Sequence, residues 1–195
     1  MEVKLDKRYP IAASLQQAWA VLRDIRAVAA CMPGAQITEQ IDDTHFKGTV
    51  KSKVGPAVMS FGGDIELQGL DADKRSLQML GKGADKAGSS ASMQLTAHLE
   101  AGADATASVL VGQATIIVSG KLAQFGSRLL VPVSDAMLAQ FAVNFGAAAA
   151  AVPAAGTASP SPAASAPAAV KELNALALMW AVFKGWLARL FGRRT

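Results

Sequence analysis

One cysteine in 195 residues, Cys31, excludes a disulfide framework and permits a reducing compartment. Two histidines, His45 and His98, both fall on expected strands, and no Cys/His cluster has the spacing of a metal site. A nucleophile elbow and a phosphate-binding glycine loop are missing as well. No catalytic set is therefore legible. Cys31, two residues before Pro33 at an expected helix end, reads as a buried, inert thiol. The residues Met1 to Asp6 alternate charged and apolar side chains and lack the apolar stretch of a signal peptide, so the expected location is the cytoplasm. The length fits one domain plus an appendage, and a 150-residue domain buries about 68–70% of its unfolded surface.

Net charge is absent from most of the chain. Residues 1–150 carry 14 Lys+Arg and 14 Asp+Glu. The overall +4 comes from residues 151–195, where Lys171, Lys184, Arg189, Arg193 and Arg194 stand against one acid, Glu172. A nucleic-acid binder carries its basic patch on the folded domain, so nucleic acid is excluded as a partner. A balanced domain followed by a basic, apolar tail holding Trp180 and Trp186 points instead to a membrane surface.

With about 100° per residue, Leu176, Met179, Trp180, Phe183, Trp186, Leu187, Leu190 and Phe191 share one half of a tail helix. Lys184 and Arg189 lie at or beyond its border, and Arg193 and Arg194 follow. So wide a stripe suits a bilayer interface, with the basic residues on anionic headgroups and the protein peripheral to the cytoplasmic face of the membrane. A transmembrane span is the competitor, but the unbroken apolar run is only Ala175 to Phe183. Docking of the helix back on its own domain is the third alternative.

The rest of the chain reads as strand, helices, meander and helix. A first strand alternates up to Pro10. Ser14 caps a helix bearing Leu15, Ala18, Trp19 and Leu22, and Asp24 opens a second that stops before Pro33-Gly34. Strands are expected over 36–41, 45–54, 57–69, 74–82, 90–101 and 105–119, separated by Asp, Gly and Pro turns that include Gly55-Pro56. Residues 121–150 read as one long helix that Pro132 should kink or divide. Gly62-Gly63 marks a bulge or a close backbone approach. The domain divisions are 1–150, a Pro/Ala/Ser linker over 151–169 expected to be disordered, and the amphipathic helix over 170–195.

Several segments resemble the G-subunit family of carbon monoxide dehydrogenase, whose members are START-like, helix-grip proteins. They are Cys31-Met32-Pro33-Gly34, Gly48-Thr49-Val50-Lys51, Lys53-Val54-Gly55-Pro56, Phe61-Gly62-Gly63, Gly81-Lys82-Gly83 and, most specific, Gly120-Lys121-Leu122-Ala123-Gln124-Phe125-Gly126-Ser127-Arg128. The resemblance spans residues 2–145. It implies an α+β fold in which a curved antiparallel sheet wraps a long C-terminal helix. It also implies a non-catalytic accessory protein, without a cofactor of its own, that brings a molybdenum-containing hydroxylase of the carbon monoxide dehydrogenase type to the membrane. A space between sheet and helix would suit a quinone or another lipid. Its expected lining is Met59, Phe61, Ile65, Met79, Met93, Leu95 and Ile116 from the strands and Leu122, Phe125 and Leu129 from the helix. Arg128 is the candidate contact to a partner or a ligand head group; a salt bridge to a neighbouring strand is its plainer role. Two alternatives stay open: a tether with a solid core and no ligand, and a START-like enzyme acting on a hydrophobic substrate.

Overall fold

The structure, a computed structural model, describes residues 1–54 and 57–154. The expected Gly55-Pro56 turn, nearly all of the linker, and the tail helix with its membrane-facing residues lie outside the described residues. Seven strands form one antiparallel sheet: β1 (Glu2–Ile11), β2 (Ala35–Gln40), β3 (His45–Val54), β4 (Ala57–Asp71), β5 (Ser76–Asp85), β6 (Ser90–Ala101) and β7 (Ser108–Ser119). Their spatial order is β1-β7-β6-β5-β4-β3-β2. The helices are α1 (Leu15–Leu22), α2 (Ile25–Cys31) and α3 (Gly126–Ala150), with a 3-10 helix over Gly120–Phe125. A curved sheet gripping one long helix is the START-like, helix-grip arrangement.

Local chemistry sets the first crossover. The Ser14 hydroxyl accepts from the Gln17 amide, and the Gln17 side chain accepts from the Ser14 amide, a reciprocal cap that starts α1. Asp24 accepts from the Arg26 and Ala27 amides and starts α2. Pro33 holds Met32 extended, and the chain turns at Gly34 with φ +75°, where a Cβ would lie 2.1 Å from the Lys51 carbonyl oxygen. The α1–α2 pair thus carries the chain from one edge of the sheet to the other, and the meander walks back until β7 pairs with β1.

α3 is anchored at its C-terminal half. Phe145 and Ala149 are fully buried among Leu22, Ile25 and Cys31 in the larger of two cores, and Phe141 packs at 5.8 Å from Phe145. Asn144 Nδ2 donates to the Cys31 carbonyl at 2.8 Å, and Gln17 Nε2 donates to the Val152 carbonyl at 2.6 Å. The Cys31 thiol is buried, and desolvation pushes its pKa up, away from reactivity. At the other end, Leu130 joins Met59, Val118 and Leu122 in a smaller core.

The structure corrects one expectation and narrows two that had alternatives. The stretch 121–125 is a 3-10 helix, and α3 starts only at Gly126, because Gly120 and Gly126 both take positive φ (68° and 67°). Pro132 neither divides nor ends α3. It removes one N–H from the ladder, while the contacts on both sides of it, at Leu130 and at Phe141, hold the helix continuous. The register slips of the sheet fall between Ile37 and Glu39 and between Leu67 and Gly69, not at Gly62-Gly63. Of the two readings of the Gly62-Gly63 pair the close approach holds: a Cβ on Gly63 would lie 1.9 Å from the Lys82 carbonyl oxygen. By length and composition the 3-10 segment and α3 together would suffice to cross a membrane. Here that helix packs on α1, α2, β1 and β3 as the gripped element of the domain.

Candidate functional site

Alternation along each strand fixes which side chains face α3. In β1 these are Val3, Leu5, Lys7, Tyr9 and Ile11, bounded by the buried Val3 and Ile11. Register then carries the inward phase across the sheet. Val3 stands beside Ile116, and Ile116 beside Met93, Gly81 and Ile65 in turn. Leu5 leads through Ala114, Leu95 and Met79 to Leu67, and Lys7 through Gly112 and Ala97 to Leu77. A further row joins Ala91, Gly83, Gly63 and Gly48. Glycine and alanine therefore occupy many inward positions of this face.

Small residues leave room. A Cβ on Gly112 would meet nothing within 4 Å, and one on Gly81 would meet only Met93 Cε at 4.0 Å. Leu77 and Leu110, inward residues under the larger core, are 0% and 4% exposed. Ile65, Met93, Leu95, Ala114 and Ile116, inward residues of the central strands, are only partly buried. α3 comes closest to β1 and β3 rather than to the four strands between them. Its contacts there are an ion pair from Asp135 to Lys7 Nζ on β1 (2.9 Å) and a Ser52 Oγ donation from β3 to Met137 Sδ (3.4 Å). The helix thus bridges the mouth of a concave, apolar face with a core at either end.

The residues expected to line a cavity divide between these regions. Met59 and Leu122 are buried in the smaller core, with Phe61, Ile116, Phe125 and Leu129 packed against it. Met79 is buried in the larger core, and Ile65, Met93 and Leu95 pack at its margin. Ile65, Met93, Leu95 and Ile116 lie nearest the open floor around Gly81, while Met59, Leu122, Phe125 and Leu129 lie at the end of the face toward the 3-10 helix. Arg128 is exposed on the first turn of α3 and forms no ion pair or hydrogen bond among the described residues, so the strand salt bridge weighed for it is not made.

Lys7 escaped the sequence reading. Its signal was a lysine in the apolar phase of an alternating strand. Hydrogen bonding to Asp135 pushes its pKa up from the ordinary lysine value, so it is charged at neutral pH. The other charged groups of β1 and β6 lie on the outer face, where Arg8 and His98 both contact Glu100.

Two open hollows flank the concave face. One, of about 450 Å³, lies over Gly62, Asp64, Lys82, Ser90, Ser92 and Ser119 of the outer phase, with Gly63, Gly83 and Ala91 of the inward row also in its lining. The other, of about 570 Å³, is rimmed by Arg23, Asp24, Arg26 and Asp43 at the α1–α2 corner, with the inward residues Phe46 and Leu67 among its lining. Among the described residues, no group of three His, Cys, Asp or Glu side chains is placed to hold a metal ion.

Solved structures share this architecture. A conserved protein from Geobacillus kaustophilus superimposes with a TM-score of 0.68 at 16% identity, covering 76% of this chain and 95% of that one. An aromatase/cyclase from a Streptomyces species gives 0.57 at 14% identity, covering 77% and 94%. A START superfamily protein from Mycobacterium smegmatis gives 0.52 at 10% identity, covering 74% and 94%. At such identities the likeness is one of fold, shared by proteins of different activity. No curated protein matches the sequence. A family model described as the carbon monoxide dehydrogenase G-subunit (CoxG) matches residues 8–150.

Proposed function

The chain belongs to the CoxG family, named for the G-subunit of carbon monoxide dehydrogenase, and on that premise we propose a non-catalytic accessory protein that carries a respiratory quinone or another lipid on its concave face. In this reading it brings a molybdenum hydroxylase of the carbon monoxide dehydrogenase type to the cytoplasmic side of the membrane. The observation that carries the ligand half is the open floor at Gly81 and Gly112, ringed by the partly buried Ile65, Met93, Leu95 and Ile116. An apolar guest there would remove those side chains from water at about 25 cal/mol per Å². The family name supports the enzyme partner, and the basic, Trp-bearing tail pattern supports the membrane. Arg128, exposed and without an ion pair among the described residues, is the residue we assign to partner contact.

The test is mass spectrometry of the organic extract of the purified full-length chain. An isoprenoid quinone or lipid in near-stoichiometric amount is the expected result. An empty extract, with no uptake from quinone-loaded vesicles, overturns the carrier reading and leaves the tether. Turnover of an apolar substrate by the purified chain would replace the accessory reading with an enzymatic one, as the fold's occurrence in an aromatase/cyclase allows.

A further inference from the structure

Within the concave site just proposed, and resting on that reading, we infer that Lys7 is the polar contact that selects the ligand: an apolar body bearing an oxygen acceptor, a carbonyl or an anion, at one end. Lys7 occupies an inward position of an edge strand whose other inward residues are Val3, Leu5, Tyr9 and Ile11. Its cross-strand neighbour is Gly112, where even a Cβ would stand in open space. Lys7 therefore stands beside open space on this face, with the buried Ala97 beyond Gly112.

Its one polar partner among the described residues is Asp135 on α3, at 2.9 Å. An ammonium carries three N–H donors, so two remain for a guest. The side chains of Lys7 and Asp135 are 35% and 44% exposed, so the ammonium stays accessible although the Asp135 Oδ1 it faces is buried. The pair makes better physical sense as a positioned donor. Asp135 aims the ammonium along the rim, and the acceptor end of an amphiphile docks on it while the body lies over Gly81, Met93 and Leu95. Apolar walls give affinity and one convergent polar group gives orientation, the usual division in a small-molecule site.

Two naphthalene probes of similar size, anilinonaphthalene sulfonate and uncharged phenylnaphthylamine, separate the roles by fluorescence titration of the full-length chain. Gly112→Leu, which fills the floor, supplies the baseline for binding elsewhere, the tail included. Above that baseline, Lys7→Met is expected to weaken the sulfonate probe at least tenfold, the range of a hydrogen bond to a charged group, while leaving the uncharged probe within twofold. Lys7→Arg should retain the sulfonate probe, and it stands in if Lys7→Met fails to fold. Asp135→Asn, which frees the ammonium, should retain the sulfonate probe or tighten it. Equal losses of both probes in Lys7→Met and Asp135→Asn would make the pair a structural strap and overturn the inference, as would unchanged sulfonate binding in Lys7→Met. Either result leaves the carrier reading standing. Failure of both probes to bind the wild-type chain above baseline overturns the carrier reading and this one together.

Discussion

Replacing Gly112 by leucine asks whether the concave face is a space or a packed core. Gly112 stands between Lys7 and Ala97, and a Cβ added there meets nothing within 4 Å. A fully buried leucine side chain is worth about 1.5–3 kcal/mol, and removing a glycine from a strand interior adds about 0.5–1 kcal/mol. The added side chain keeps one face toward the opening, so a gain of about 1–2 kcal/mol is expected. That corresponds to a rise of about 2–4 °C in Tm per kcal/mol for a chain of this size. In a filled core the same leucine would cost about 1–3 kcal/mol. Urea unfolding reads the difference as a shift in midpoint at constant slope. Gly63→Ala is the control on the same face: its Cβ would lie 1.9 Å from the Lys82 carbonyl oxygen, so it should cost about 3 kcal/mol despite adding only one carbon. A lower midpoint for Gly112→Leu, or one close to that of Gly63→Ala, would refute the open floor and with it the ligand site.

Other outcomes follow from the same geometry. Phe145→Ala should destabilise the domain by about 3–5 kcal/mol in urea unfolding, since a fully buried ring is removed where α3 meets α1 and α2. The Asp42 carboxylate accepts from the Thr44 amide and hydroxyl and from the His45 amide and ring, and these bonds hold its pKa well below the ordinary aspartate value. A depressed folded pKa means that its support of the β2–β3 turn is present above about pH 4 and is lost as the pH falls through the folded pKa. The protection of the Thr44 and His45 amides, measured relative to their intrinsic exchange rates at each pH, should therefore fall in acid in the wild-type chain, and Asp42→Asn should remove that fall. Deleting residues 155–195 should leave a folded domain that no longer sediments with anionic vesicles, and Trp180→Ser with Trp186→Ser should weaken sedimentation of the full chain even at low salt. Vesicle binding by the truncated domain would contradict the membrane role of the tail.

The sequence was most legible where local chemistry decides structure. The caps at Ser14 and Asp24, the stop at Pro33-Gly34 and the strands 45–54 and 90–101 all follow from short-range preferences. Pro132 does not divide α3 because its local cost is one hydrogen bond, whereas Leu130 and Phe141, on either side of it, are held by residues distant in the chain. The slip between Leu67 and Gly69 carries no glycine pair to announce it. In the candidate site, the sequence supplied the apolar strand residues but not their division. Met59 and Met93 look alike in an alternating pattern, yet one is sealed beside Val118 and the other borders the open floor. That distinction depends on where α3 crosses, which no strand encodes. Lys7 was hidden for the same reason, because its meaning lies in Gly112, more than a hundred residues away.

That separation has a consequence in time. Glu2 pairs with Ile117 and Ile11 with Ser108, whereas β2 through β7 pair with neighbours close along the chain. On a ribosome adding about 5–20 residues per second, β1 waits roughly 5–20 s for its partner strand β7. The meander can zip hairpin by hairpin as it emerges, but the β1–β7 ladder closes over the longest loop in the fold and comes last. Until then β7 presents a bare edge, and Lys7 has neither Gly112 beside it nor Asp135 above it. The concave site is thus absent from every shorter nascent chain and arises in the same event that completes the sheet.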